Sequence, residues 1–363
     1  MSLQRQILFW IAALFGVILF LYVFRGILLP FVAGMILAYL LDPVADQIER
    51  LGAGRLAAAF IILATFLVAF ILVLILVLPV LGHQLAAFLA RLPDYVTSLQ
   101  QLIASYVGDG DTQTVIGMTA RDLQSSLGGL VSQGAQWLGT MLGSLWSGGQ
   151  TLLSIFALLL VTPVVAFYML LDWDRMVEAV DGWIPRDSLT TVRELFREMD
   201  DGVSGFIRGQ VLVCLILATY YAIGLSLVGL NFGLLIGIGI GLISFIPYVG
   251  ASIGLVLSVG LGIAQFWPEW TSIALVVAVF VVGQFVEGNI LQPKLIGEHV
   301  GLHPVWLMFA LFAFAALFGF VGLLVAVPAA SAVGVLARFA LRRYVRSPIY
   351  TGEPEPRAGG EAP

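Results

Sequence analysis

Polar side chains gather in one stretch of an otherwise oily chain, between Gln284 and Ser331. Gln284, Glu287, Asn289 and Gln292 come in quick succession, followed at once by Pro293 and Lys294. An amide or carboxylate left unpaired in hydrocarbon costs on the order of several kcal/mol, so these groups are expected to line something. Gln284, Glu287 and Leu291 stand three and four residues apart and share a helical face. Burial disfavours the charged form of a carboxyl, which suits Glu287 to carrying a proton or pairing with a cation. The structural alternative pairs it with Lys294 or with a backbone donor at a broken helix. Asn289 and Gln292 either bond a hydroxylated solute or bridge helices. Asn231, at the head of a glycine-rich run, completes the candidate substrate or ion path.

Other chemistry is weaker. His299 and His303 lie four apart, but with no acid in register and Pro304 beside them a zinc site is not expected. Asp172 with Asp174 and Asp200 with Asp201 read as solvated faces or helix caps rather than metal ligands. Gly237-x-Gly239-x-Gly241 lacks the spacing and the preceding strand of a phosphate-binding loop. Gly233, Gly237 and Gly241 recur at every fourth residue, the small-residue spacing that lets helices approach closely. Membrane proteases are disfavoured: Asp42 and Asp172 sit at span ends, Ser244, Ser252 and Ser258 lack a histidine on a facing helix because His299 and His303 sit in a loop, and His-Glu-x-x-His is missing. No enzyme activity, cofactor, metal or nucleic-acid partner is expected. Pro247, Gly250, Pro293, Gly319, Gly322 and Pro328 read as helix-breaking backbone that shapes a cavity, with Pro293 ending its helix.

The elements that must position these residues follow from composition. Of 363 residues 60% are hydrophobic and 11% charged, and the mean hydropathy is +1.03. A soluble core and surface cannot share that out, so the chain is an all-α polytopic membrane protein in a lipid bilayer. The single cysteine, Cys214, excludes an internal disulfide or thiolate cluster. A span needs about 20 apolar residues. Residues 1–81 hold three spans: 7–24, read as a retained signal anchor, 26–41 and 56–81. Residues 82–150 form an external amphipathic helical region, a cap between spans three and four, broken by Pro93 and Gly108. A fourth span occupies 151–171, then a charged cytoplasmic helical hairpin 172–208. The C-terminal transmembrane core is 209–346, and 347–363 is a disordered tail. About eight hydrophobic units result. The unit 231–266 is too long for one straight span and reads as a broken or re-entrant helix.

Basic residues orient the chain. With both termini cytoplasmic, thirteen arginines fall inside and only Arg25, Arg91, Arg121 and Lys294 outside. Trp10, Trp173, Trp267, Trp270 and Trp306 lie near span ends, as interfacial aromatics should.

At Asn231 with its glycine run, Ile246-Pro247-Tyr248-Val249-Gly250, Gln284-x-x-Glu287-x-Asn289-x-x-x-Pro293-x-x-x-Gly297, Gly301-Leu302-His303-Pro304 and Gly319-x-x-Gly322-x-x-x-Ala326-Val327-Pro328, the chain resembles the autoinducer-2 exporter family of bacterial permeases. Order and spacing agree across the C-terminal core. The resemblance implies a secondary transporter of the inner membrane, assembled as a homo-oligomer and without an ATP-binding domain. Members are credited with export of a small polar furanone-type signal, others with exchange of sodium or lithium for protons. A membrane assembly or structural protein that transports nothing is the further alternative.

Overall fold

The computed structural model describes residues 3–107, 149–296, 303–347 and 350. Most of the cap (108–148), His299 and nearly all of the tail lie outside them. Among the described residues every regular element is helical. The α-helices are α1 (Leu3–Val23), α2 (Leu28–Arg50), α3 (Arg55–Val107), α4 (Gly149–Gly182) and α5 (Leu189–Leu227). They continue as α6 (Gly233–Ile243), α7 (Val249–Phe266), α8 (Trp270–Val286) and α9 (Pro304–Val345), with a π-helix, π1, over Glu287–Ile296. Seven described helices are long and apolar enough to cross a membrane, and α6 is a shorter apolar one. Side chains such as Phe15, Ile75 and Leu76 are about two-thirds exposed, an arrangement lipid rewards and water does not.

Several boundaries differ from the sequence reading. The third span does not stop at Leu81: α3 continues as one helix through Gly82 and Pro93 to Val107. The charged segment 172–208 consists of the adjoining ends of α4 and α5 around a turn at Arg186–Ser188, and its two helical arms run on without a break into the apolar helices on either side. Asp172, Asp174, Asp200 and Asp201 therefore lie inside helices and cap none, and no group able to hold a metal ion is found among the described residues.

The chain divides into two compact units. One comprises Leu29–Leu171 and Gly209–Leu295. In it α2, α3 and α4 pack through small residues, with Ala45 and Ala59 fully buried beside Ile62 and Leu170. Gly34 lets the backbones of α2 and α4 close up, since a Cβ there would lie 2.7 Å from Val165. Arg55, opening α3, ties this corner together. It donates to Asp42 at 2.9 Å, Asp46 at 2.7 Å, Glu49 at 3.2 Å and the Leu170 carbonyl at 2.8 Å. The three acids stand on one face of α2, so a single planar fork can reach all of them.

The same unit holds the predicted interruption, between α6 and α7. The glycine stripe faces α5: a Cβ on Gly233 would lie 2.8 Å from the Ser226 nitrogen, and Cβ atoms on Gly237 and Gly241 would overlap the backbone of Ala222 and Ala218. Pro247 sits in the break. Gly250 enters the first turn of α7 where a Cβ would meet Ser244 at 2.5 Å. The break frees the Ser244 carbonyl, and buried Gln210 on α5 donates to it at 2.6 Å. The pair returns to its starting level: the Gln265 side chain accepts from Asn231 N–H at 2.7 Å and donates to the Gly229 carbonyl at 2.9 Å. The two helices form a hairpin whose ends meet.

The other unit comprises Met1–Leu28, Asp172–Arg208 and Ile296–Pro363. Arg193 grips Asp181 with two hydrogen bonds, 2.6 and 2.7 Å, across the turn between α4 and α5. Its long helix α9 is broken at Gly319, with φ 62° and ψ −135°. In a straight helix Phe314 and Gly322 would stand about 12 Å apart along the axis. Here a Cβ on Gly322 would overlap the Phe314 carbonyl, so the chain doubles back at Gly319 and only glycine fits at 322. Pro328, expected to break its helix, lies within the helical arm that follows and breaks nothing.

Candidate functional site

Glu287 stands where α8 gives way to π1. A π-turn admits one extra residue per turn, so the backbone widens and its carbonyls lose their α-helical partners. Pro293, expected to end the helix, is instead absorbed within π1. That is the physical outcome of a ring that removes a donor in a segment whose hydrogen bonds have already shifted register.

The carboxylate is held by amides. Gln284 Nε2 donates to Glu287 Oε2 at 3.1 Å, and Gln292 Nε2 reaches Oε1 at 3.5 Å. Gln284 Nε2 also donates to Tyr221 Oη at 3.2 Å, and the tyrosine hydroxyl donates onward to the Phe280 carbonyl at 3.4 Å. Tyr221 is fully buried, stacked on Phe280, and reaches under α8 because residue 283 is glycine: a Cβ there would overlap its ring. Tyr220 donates to the Val279 carbonyl at 3.0 Å beside it. The chain Glu287, Gln284, Tyr221, Phe280 thus joins α8 to α5. Glu287 and Gln284 are half-buried, while Gln292 and Asn289 are exposed on the outer side of the turn.

Among the described residues Glu287 has no ion pair, so the proposed structural pairing with Lys294 is not formed. Neutral donors orient the carboxylate without cancelling its charge, which leaves it able to take a proton or a monovalent cation. Asn289 does not face Glu287. Its Nδ2 donates at 3.0 Å to the Phe285 carbonyl one turn back, satisfying backbone where the winding changes.

Asn231 belongs elsewhere. Its side chain donates to Tyr95 Oη at 3.0 Å, its backbone to Gln265, and Gln84 accepts from Leu235 N–H at 3.0 Å nearby. Gln265 lies at the α7 end that joins α8, whose 17 residues put Glu287 about 25 Å away along the axis. The sequence reading grouped Asn231 with Glu287 and set Lys294 outside. The returning hairpin instead places Glu287 and Lys294 at the opposite end of α8 from Asn231. Pro247 and Gly250 shape the hairpin tip, and Gly319 and Gly322 the reversal of α9. His303 caps α9 by accepting from Val305 N–H at 3.3 Å, a role that occupies its Nδ1.

Sequence reasoning did not single out Tyr221, Gln210, Gln84, Tyr95 or Gln265. Gln210 and the Tyr220-Tyr221 pair were visible as polar groups inside an apolar run; nothing local named their partners.

The model of a family described as AI-2E family transporter matches residues 7–342. YrrI of Bacillus subtilis (strain 168), named as a candidate transport protein, is 31% identical over 352 residues, covering 93% of this chain and 97% of YrrI. PerM of Escherichia coli (strain K12), named as a candidate permease, is 30% identical over 326 residues, covering 88% of each chain. YueF of Bacillus subtilis, also named as a candidate transport protein, is 25% identical over 305 residues, 82% of this chain and 80% of its own. An all-helical, multi-pass membrane chain matched by one family model over nearly its whole length is a member of that family, the AI-2E family of transporters.

Proposed function

We propose that the protein is a secondary transporter that exports a small polar solute, with Glu287 as the group that takes up and releases the coupling proton or cation. One observation carries this: a half-buried carboxylate at an α-to-π junction, oriented by Gln284 and Gln292 and balanced by no cation among the described residues. A site that must bind and release a monovalent cation needs such an uncancelled charge, whereas a purely structural acid is normally neutralised. The resemblance to exporters of a furanone-type signal supplies the solute class. The same carboxylate serves a second reading, exchange of sodium or lithium for protons, because that chemistry needs only the acid.

For the topology we take α1 to α5 and α8 as six crossings and the pairs at 233–266 and 304–345 as returning to the side they enter. Both termini then lie on one side. Setting that side in the cytoplasm of a bacterial inner membrane puts Lys294 inside and leaves only Arg25, Arg91 and Arg121 outside, a stronger positive-inside bias than a count with Lys294 outside. A homo-oligomer is the assembly in which we place this chain, from the family resemblance.

Purified protein in liposomes, with imposed sodium or proton gradients, tests the proposal against Glu287→Gln. Gradient-driven efflux of a labelled furanone signal that Glu287→Gln abolishes supports export. A cation-driven pH change without solute movement, also lost in the variant, assigns the exchange reading. Neither activity in wild-type vesicles, or equal activity in the variant, removes the transport role of Glu287.

A further inference from the structure

We infer that the pocket between α5 and α9 is a binding site for the headgroup of an anionic phospholipid. The pocket encloses about 690 Å³ and is lined by Glu194 and Glu198 of α5 and by Phe339, Arg342, Arg343 and Arg346 of α9. Glu198 is already engaged, by Arg338 at 3.3 Å and Arg342 at 3.9 Å. Arg343 and Arg346 have no acid within ion-pair distance among the described residues. Three lining arginines against two glutamates, one of which Arg338 also engages from outside the lining, leave the pocket cationic, and guanidinium forks suit phosphate oxygens.

Depth selects the source of that phosphate. The arginines follow directly on the apolar arm of α9, so they lie where hydrocarbon gives way to headgroups. Leu336 is exposed seven residues before Arg343 and on its helical face, and Val333, ten residues before it, is exposed a quarter-turn to the side. A lipid whose phosphate meets Arg343 and Arg346 has apolar surface for its chains directly below, which a free anion does not use. The plainer role for these arginines is to complement the negative end of the α9 dipole. That role requires neither a pocket walled by a second helix nor any preference among lipids.

The test uses the full-length protein in neutral detergent, with lipid retention read by native mass spectrometry and thermal unfolding. Phosphatidylglycerol, phosphatidylcholine and inorganic phosphate are the three probes. Wild type should retain phosphatidylglycerol preferentially, and Arg343→Gln with Arg346→Gln should weaken that binding roughly thirtyfold, about 2 kcal/mol for two juxtamembrane charges. Arg175→Gln, at a side chain 86% exposed, should leave it unchanged. Unchanged retention in the double variant, equal retention of phosphatidylcholine, or displacement by phosphate at the lipid's own concentration would each overturn the assignment. If the double variant unfolds early without lipid, Arg343→Lys with Arg346→Lys replaces it. Retention within a few fold then supports the site, and its loss there counts against it.

Discussion

Replacing Gly237 by alanine tests the packing logic of the α6–α7 hairpin with a control inside the same helix. At Gly237 a Cβ would overlap the nitrogen and Cα of Ala222 on α5; at Gly239, two residues on, it would meet nothing within 4 Å. Both changes gain about 1 kcal/mol of intrinsic helix preference. Only the first must open a helix contact. The obstacle is backbone, which has no rotamer to yield, so α6 must move away by about 1 Å or more before a Cβ that overlaps the Ala222 Cα regains normal separation. That movement also unseats Gly233 and Gly241, which rest on the same face of α5. Overpacking of this kind costs about 1–3 kcal/mol, enough to cancel the propensity gain and more. Gly237→Ala should therefore unfold at a lower temperature than wild type in detergent, and Gly239→Ala at an equal or higher one. The displaced hairpin also strains the 2.6 Å bond from Gln210 to the Ser244 carbonyl, so transport in liposomes should fall in the first variant alone. Equal unfolding temperatures for the two variants would refute the close approach of α6 to α5.

Arg55 and Tyr221 give two further tests. Arg55→Ala leaves Asp42, Asp46 and Glu49 facing one another and the Leu170 carbonyl without its donor. A loss of about 2–4 kcal/mol, read as early thermal unfolding, is expected, with Arg55→Lys recovering only part because an ammonium cannot span four acceptors; wild-type stability in Arg55→Ala would contradict the clamp. Tyr221→Phe keeps the buried ring but removes the hydroxyl that accepts from Gln284 and donates to Phe280. It should cost about 1–2 kcal/mol and reduce transport less than Glu287→Gln does; transport lost as completely as in Glu287→Gln would show that the hydroxyl does more than position Gln284.

Much of the fold was legible because lipid imposes a local rule. Backbone groups must be bonded within their own segment, so a run of apolar residues announces a helix without knowledge of its neighbours. The hairpin break at Pro247 and the every-fourth-residue glycines were readable for the same reason, since turn chemistry and helical spacing are properties of adjacent residues. Pro293 and Pro328 misled because a proline's effect depends on what its turn is packed against: one is absorbed in a π-helix and the other sits inside a helical arm. Pro93 likewise leaves α3 unbroken.

The site divides along the same line. Glu287, Gln284 and Gln292 were found together because they lie within one stretch of helix, and their mutual bonds are local. Tyr221 is 63 residues from Gln284, and no spacing rule connects them. Sequence alone determined that the chain is helical, lives in lipid and carries an acid among amides. Whether the two arms of the run from Asn231 to Phe266 continue in one direction or fold back, and therefore how far Asn231 stands from the acid, was decided by the contact of Asn231 with Gln265. Hydropathy measures transfer into lipid residue by residue and is the same for a helix that crosses and one that turns back; only the meeting of distant ends distinguishes them.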